Sequence, residues 1–294
     1  MTDTRPRRTR WIASLAVAFL AWPVLSATTA PEQPGYLYPE QRHENIGEII
    51  TQFIEKSHYN RIAVDDELSS QVMDRFIESL DRNRMYLLKG DVEFFETYRY
   101  QLDDMVRGKP LNPVFDLYQL YQTRVRERLT FALEQLETEP DFLLDESYQF
   151  DREEEPWVET SAELDEIWRL RVKNDALNMT IENEPWEKVQ ETLVKRYKGY
   201  LRRLDQVNND DAFERFMNAF VRTLDPHSSY LSPRNSEEYR IQMSLSYFGI
   251  GASLQTEDDF VKIAGIIPGG PAAIDGQLKP EDRITGVAQG IEGE

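Results

Sequence analysis

Residues 246–255 read Ser-Tyr-Phe-Gly-Ile-Gly-Ala-Ser-Leu-Gln, SYFGIGASLQ. The run has the character of a β-strand opening, yet Gly249 and Gly251 stand where strand propensity disfavours glycine. Glycine in such a place marks either a bulge in the pairing or a point of close approach by another backbone. The sequence on either side of it bears on which reading holds.

Upstream, from Asn45 to about Leu224, the apolar spacing is helical. Ile46, Ile49, Ile50, Phe53 and Ile54 share one helix face, as do Leu68, Val72, Phe76, Ile77 and Leu80 after a capping Asp65. Asp91 precedes a third helix carrying Phe95, Tyr98, Leu102 and Met105. Asn112-Pro113 reads as a cap with proline at the first helical position, opening a helix that stops before Pro140. The stretch 141–158 is acidic, aromatic and irregular, a long connection. Thr160 and Glu163 have capping-box spacing, Pro185 opens a further helix, and Asp211 with Glu214 suggests a reciprocal cap before a last helix ending ahead of Pro226. The aromatics at helical spacing are read as core.

Downstream the chain changes character. Nine of its 14 glycines fall in residues 247–294, and the periodicity shifts with them. Ile250 to Gln255, Val261 to Ile267 and Asp282 to Val287 read as strands, with a polar turn at 256–259, a second turn at Pro268-Gly269-Gly270-Pro271 and a short helix from Pro271 to Asp275.

Bulk properties bound the function. At 294 residues and 40% hydrophobic content, the chain can bury one large core or two ordinary ones. A formal charge of -19 sets it against nucleic acid and anionic membrane surfaces as partners. The absence of cysteine excludes disulfides and thiol catalysis. His43, His58 and His227 lack ligand spacing; Asp225 and His227 could share a metal across Pro226, but no metal or other cofactor is expected. Arg5, Arg7, Arg8 and Arg10 precede the apolar run from Trp11 to Leu25 and the small residues Ser26 to Ala30, the layout of a secretory signal peptide and short for a membrane span.

The run GASLQ…VKIAGIIPGGPAAIDGQLKPEDRITGV resembles the first half of a PDZ domain. The resemblance implies that a loop at Tyr247, Phe248, Gly249, Ile250 and Gly251 turns backbone N–H groups toward a peptide's terminal carboxylate. The peptide would then add as a strand beside the one carrying Leu254. Leu224-Asp225-Pro226-His227-Ser228-Ser229-Tyr230-Leu231-Ser232-Pro233, with Met243-Ser244-Leu245 and Gly249-Ile250-Gly251, is similar to the carboxyl-terminal processing, or tail-specific, proteases, periplasmic serine endopeptidases. That family uses a serine nucleophile and lysine base, assisted by a glutamine, in a domain following the PDZ module; no such pair is assigned in this chain, so no residue here is expected to be catalytic.

The expected fold is mainly α: a signal peptide over 1–30, a linker over 31–44, an all-helical domain over 45–235, and a partial, β-rich PDZ domain over 236–294. On this reading the chain is the amino-terminal part of a periplasmic endopeptidase, a fragment or a truncated gene product, whose partners are the C-terminal tails of substrate proteins, with a lipoprotein adaptor allowed on the helical domain. The alternative is a non-enzymatic periplasmic peptide-binding or scaffold protein with a PDZ-like module. Export with cleavage between Ser26 and Ala30 is the first prediction: amino-terminal sequencing of the exported form should begin within that interval, and a sequence beginning at Met1 would overturn it.

Overall fold

The computed structural model describes residues 35–60, 62–181, 184–244, 249–257 and 260–287. The chain divides into two units, Met1–Tyr36 and Leu37–Glu294, and every element below belongs to the second. The leader expected over 1–30 lies outside the described residues. The fold is mainly helical: α1 (Gln41–Ser57), α2 (Asp66–Asp81), α3 (Lys89–Glu96), α4 (Leu102–Val106), α5 (Asn112–Gln135), α6 (Ser161–Thr180), α7 (Trp186–Asp205), α8 (Asn209–Leu224) and α9 (Pro233–Ser244). A small antiparallel sheet follows, β1 (Ala252–Glu257), β2 (Phe260–Ile266) and β3 (Arg283–Ile284) in that spatial order, with α10 (Pro271–Asp275) between β2 and β3.

Helix α1 starts inside the stretch expected to be linker. The Glu40 N–H donates to His43 Nδ1 at 3.1 Å, which opens the helix ahead of its apolar stripe. His43 is fully buried, 4.6 Å from the Phe213 ring and 5.7 Å from that of Phe115, with Nε2 2.8 Å from Asp210 Oδ1 of α8. Since Nδ1 accepts, Nε2 carries the hydrogen and donates to Asp210. Helix α2 begins at its expected cap, Asp65 accepting from the Leu68 N–H at 3.2 Å.

The single third helix expected from Asp91 divides into α3 and α4. Ser69 of α2 is buried at the break, where its hydroxyl donates to the Arg99 carbonyl (2.7 Å) and accepts from the Leu102 N–H (2.8 Å). One side chain thus satisfies two backbone groups that the interrupted ladder leaves open. Asp91 lies within α3 rather than before it. Its carboxylate reaches back to the Leu88 N–H at 3.0 Å and clamps Arg124 of α5 at 2.8 and 2.9 Å.

The later caps need two corrections. Leu111 occupies the N-cap of α5, so Asn112 is already helical and proline follows it. Asn208, not Asp211, caps α8: its side chain accepts from the Asp210 and Asp211 N–H groups (2.8 and 3.2 Å), and Asp211 returns a bond to the Asn208 N–H at 3.0 Å. Glu214 instead accepts from the Ser232 N–H (3.1 Å) and Asn235 Nδ2 (2.7 Å), holding the start of α9. The capping box of Thr160 and Glu163 and the opening of α7 after Pro185 stand as read.

Helix α9 was not anticipated, and the domain boundary placed at 235 falls inside it. It buries no residue and has no apolar stripe to announce it. The strands also shift. Gly251 has φ +79, outside the strand region, so β1 starts at Ala252 rather than Ile250. β3 is only two residues long and pairs with Val261 and Lys262.

Two clusters of buried side chains form the helical core. The first joins α1 to α4, the front of α5 and α8, around Phe76, Phe115, Phe213, Phe216 and Phe220. The second joins the back of α5 to α6 and α7, around Trp168, Leu193 and Tyr197. Helix α5, about 36 Å long at 1.5 Å per residue, supplies Leu111 to Tyr118 to one and Val125 to Leu136 to the other.

The turn after α2 links the clusters. Asp81, buried, accepts from the N–H groups of Met85 (2.8 Å), Tyr86 (2.9 Å) and Leu87 (2.8 Å). Leu87 enters the first cluster and Met85 the second, where the Met85 carbonyl accepts from Trp168 Nε1 at 2.7 Å. Burial pushes the Asp81 carboxyl above its usual range, and the three N–H groups oppose that rise. The connection 141–158 is irregular, as expected, and is tied to α6 where Glu146 meets Arg169 Nη2 (2.6 Å) and Lys173 Nζ (2.5 Å).

Asp81→Ala should leave three N–H donors, two of them buried, without their acceptor, destabilising the helical part by about 3 kcal/mol or more, read by denaturant unfolding. Asp81→Asn, which keeps one acceptor oxygen, should fall between it and the parent. A shift in unfolding midpoint no larger than that of a surface substitution would refute this account of the turn.

Hydrogen bonds from Arg169 and then Lys173 draw the Glu146 carboxyl down from 4.5 to about 2. A depressed carboxyl contributes stability above its unfolded pKa and loses it as pH falls through the folded one. The stability difference between parent and Glu146→Gln should therefore be complete above pH 4.5 and shrink as pH falls toward 2. A difference independent of pH in that window would exclude the ion cluster as its source.

Candidate functional site

The candidate site lies where the chain enters β1. Gly249, Ile250, Gly251 and Leu254 are described, whereas Tyr247 and Phe248 lie outside the described residues. A Cβ added at Gly251 would stand 2.9 Å from both Cδ and N of Pro271 and 3.0 Å from Gly270 Cα. Combined with its left-handed φ, this leaves room for glycine alone. The backbone that approaches Gly251 is therefore its own chain, at the turn leading into α10.

Hydrogen bonds close that junction. The Gly251 carbonyl accepts from the Ile267 N–H at 2.8 Å, and the Ile250 carbonyl accepts from the Ala272 N–H at 2.8 Å. Both carbonyls are thus occupied, while the N–H groups of Gly249, Ile250 and Gly251 find no acceptor among the described residues. Successive backbone donors with no internal acceptor can serve an anion. Ile250 and Leu254 are about half exposed.

Strand β1 pairs with β2 along one edge, and its other edge pairs with no strand among the described residues. The β1–β2 pairing does contain a bulge, but it falls between Ser253 and Leu254, opposite Ala264, and not at either glycine of the loop. Among described residues, then, the module offers loop donors, an open strand edge and two exposed aliphatic side chains.

The residues Leu224 to Pro233 form a strap that returns along α8. Asn218 pairs with Tyr230 like a second backbone, donating to its carbonyl at 2.9 Å and accepting from its N–H at 3.1 Å. The Tyr230 ring stands edge-on to Phe213 at 5.4 Å. Asp225 accepts from the His227 N–H (3.3 Å) and the Ser228 hydroxyl (3.0 Å), and the His227 bond leads in lowering its carboxyl below the usual range. The Asp225 carboxylate is engaged in its own turn. No three His, Asp or Glu side chains gather as for a metal ion among the described residues.

A cavity of about 660 Å³ lies between α2 and α8, where Arg75, Arg82, Arg215 and Arg222 stand among Glu78, Asp211 and Glu214. The serine that lines it, Ser79, donates its hydroxyl to the Phe76 carbonyl at 2.8 Å, and the lining residues include no lysine or histidine to act as its base. The sequence pointed to the loop at 249–251 but missed Gly270 and Pro271 as the partners of Gly251. The only available signal was the Gly-Gly-Pro turn, read as a turn without a destination.

The family model described as "Tail specific protease N-terminal domain" matches residues 50–234. The Tail-specific protease of Haemophilus influenzae is 39% identical over 235 residues, which are 80% of this chain and 34% of that protein. The chain thus spans about a third of the length of the curated relative it matches. With the family model covering most of the helical part and the relative covering four-fifths of the chain, this protein belongs to the tail-specific protease family.

Proposed function

We propose that this chain supplies the substrate-tail recognition of a periplasmic tail-specific endopeptidase, whose peptide bond hydrolysis is carried by residues beyond those described. The observation that carries the reading is the loop at 249–251, with donors unused among the described residues, opening directly onto the unpaired edge of β1. A peptide's terminal carboxylate accepts from the loop N–H groups, and its last residues add antiparallel to β1. Ile250 and Leu254, half exposed, receive apolar terminal side chains. The leader read in residues 1–30 supports the periplasmic address.

The two glycines have separable roles on this reading. Gly251 keeps the loop docked on the Gly270–Pro271 turn, so Gly251→Ala should destabilise the module itself. Gly249→Val should weaken peptide binding by crowding the approaching carboxylate. In the full-length protein, replacing a peptide's free carboxylate by an amide should cost about 1–3 kcal/mol of binding, the scale of hydrogen bonds to a charged group. Calorimetric titration of the acid and amide forms of one peptide, against parent and Gly249→Val, makes the test. Equal affinity for acid and amide would assign the loop to the module's internal packing and remove the proposal.

A further inference from the structure

Helix α7 carries five cations in nine residues, Lys195, Arg196, Lys198, Arg202 and Arg203, in a chain whose net charge is -19. Arg196, Lys198, Arg202 and Arg203 form no ion pair with a carboxylate among the described residues, although the chain is rich in carboxylates. The last-turn pair, Arg202 and Arg203, complements the helix dipole. The three cations nearer mid-helix have no such role.

Gly199 lies at the centre of this face. The position of an added Cβ there is 3.7 Å from Arg203 Nη1 and 3.9 Å from Arg202 Nη2, ordinary contact distances to the ends of flexible side chains. Neither its φ nor its surroundings require glycine, and glycine inside a helix is destabilising relative to alanine. Two guanidinium groups therefore converge on one bare point of the helix. Arg203 is further held over the Tyr200 ring, 4.8 Å from its centroid.

Lys195, Lys198 and Arg202 follow one another along one side of Gly199 at spacings of three and four, and Arg196 and Arg203 stand seven apart along the other. Between them the Arg202 and Arg203 guanidinium groups lie over Gly199. We propose that this cationic face docks an acidic segment of a partner polypeptide, its carboxylates accepting from the guanidinium groups that meet over Gly199. A short acidic chain can lie along the two rows alone, whereas a planar anionic membrane would also face the acidity of the rest of the molecule. The proposal uses no part of the loop at 249–251 and stands or falls apart from it.

The test is binding of a fluorescent oligoglutamate peptide to the full chain at low ionic strength, with phosphatidylglycerol vesicles in a parallel arm. Oligoglutamate should bind and weaken with salt, and the pair Arg202→Glu with Arg203→Glu should lower affinity by about tenfold or more. Gly199→Leu, which alters no charge, should also lower it by pushing the two guanidinium groups apart. Arg75→Glu with Arg222→Glu, on α2 and α8, an equal change of net charge elsewhere, should leave it unaltered. Circular dichroism confirms the fold of each variant, and Arg202→Gln with Arg203→Gln replaces the reversal should that pair fail to fold. Absence of oligoglutamate binding, equal loss in Arg75→Glu with Arg222→Glu, or binding to vesicles without competition by oligoglutamate would each overturn the proposal.

Discussion

The helical part depends on one buried carboxylate. Asp81 gathers the N–H groups of Met85, Tyr86 and Leu87, and so fixes the path of the chain between α2 and α3. That path sends Leu87 into one cluster and Met85 into the other. It also presents the Met85 carbonyl to the Trp168 indole, which is fully buried. Without an acceptor at Asp81, three donors, two of them buried, would lose their partner, and the indole N–H would face a displaced turn. A buried carboxylate is costly by itself, and here backbone donors offset the cost.

Around that turn, α5 acts as the shared wall of both clusters. Its front half packs with α2 and α8 and its back half with α6 and α7. The bidentate contact of Arg124 with Asp91, near the middle of α5, ties it to α3. Polar clamps of this kind recur wherever a connection must lie against a helix: Glu146 with Arg169 and Lys173, Asn218 with Tyr230, Glu214 with Ser232 and Asn235. Each holds a connecting segment against the helix beside it.

The β module works by a different economy. Its buried apolar residues are few, Ala252, Ile263 and Ala272 among them, and its order comes from backbone contacts that only small residues permit. Gly251 against Gly270 and Pro271 is the tightest of these. The same contact turns the loop carbonyls inward onto Ile267 and Ala272, while the loop N–H groups find no acceptor among the described residues.

Much of the helical architecture was determined by the sequence alone, because apolar periodicity and end caps are local. The stripe from Leu68 to Leu80, the cap at Asp65, the box at Thr160 and Glu163 and the stop before Pro226 all rest on residues within four positions of one another. The division of the third helix was not legible, since the hydroxyl that terminates it belongs to Ser69, some thirty residues earlier. Helix α9 escaped because it buries nothing, and periodicity reports only what is buried. At the candidate site, the two glycines of SYFGIGASLQ announced a close approach, but the approaching partner of Gly251 could not be named from sequence. The meeting of Gly251 with Pro271, twenty residues on, exists only after β1 and β2 have paired and returned the chain to the same place, and that return is a decision of the tertiary structure.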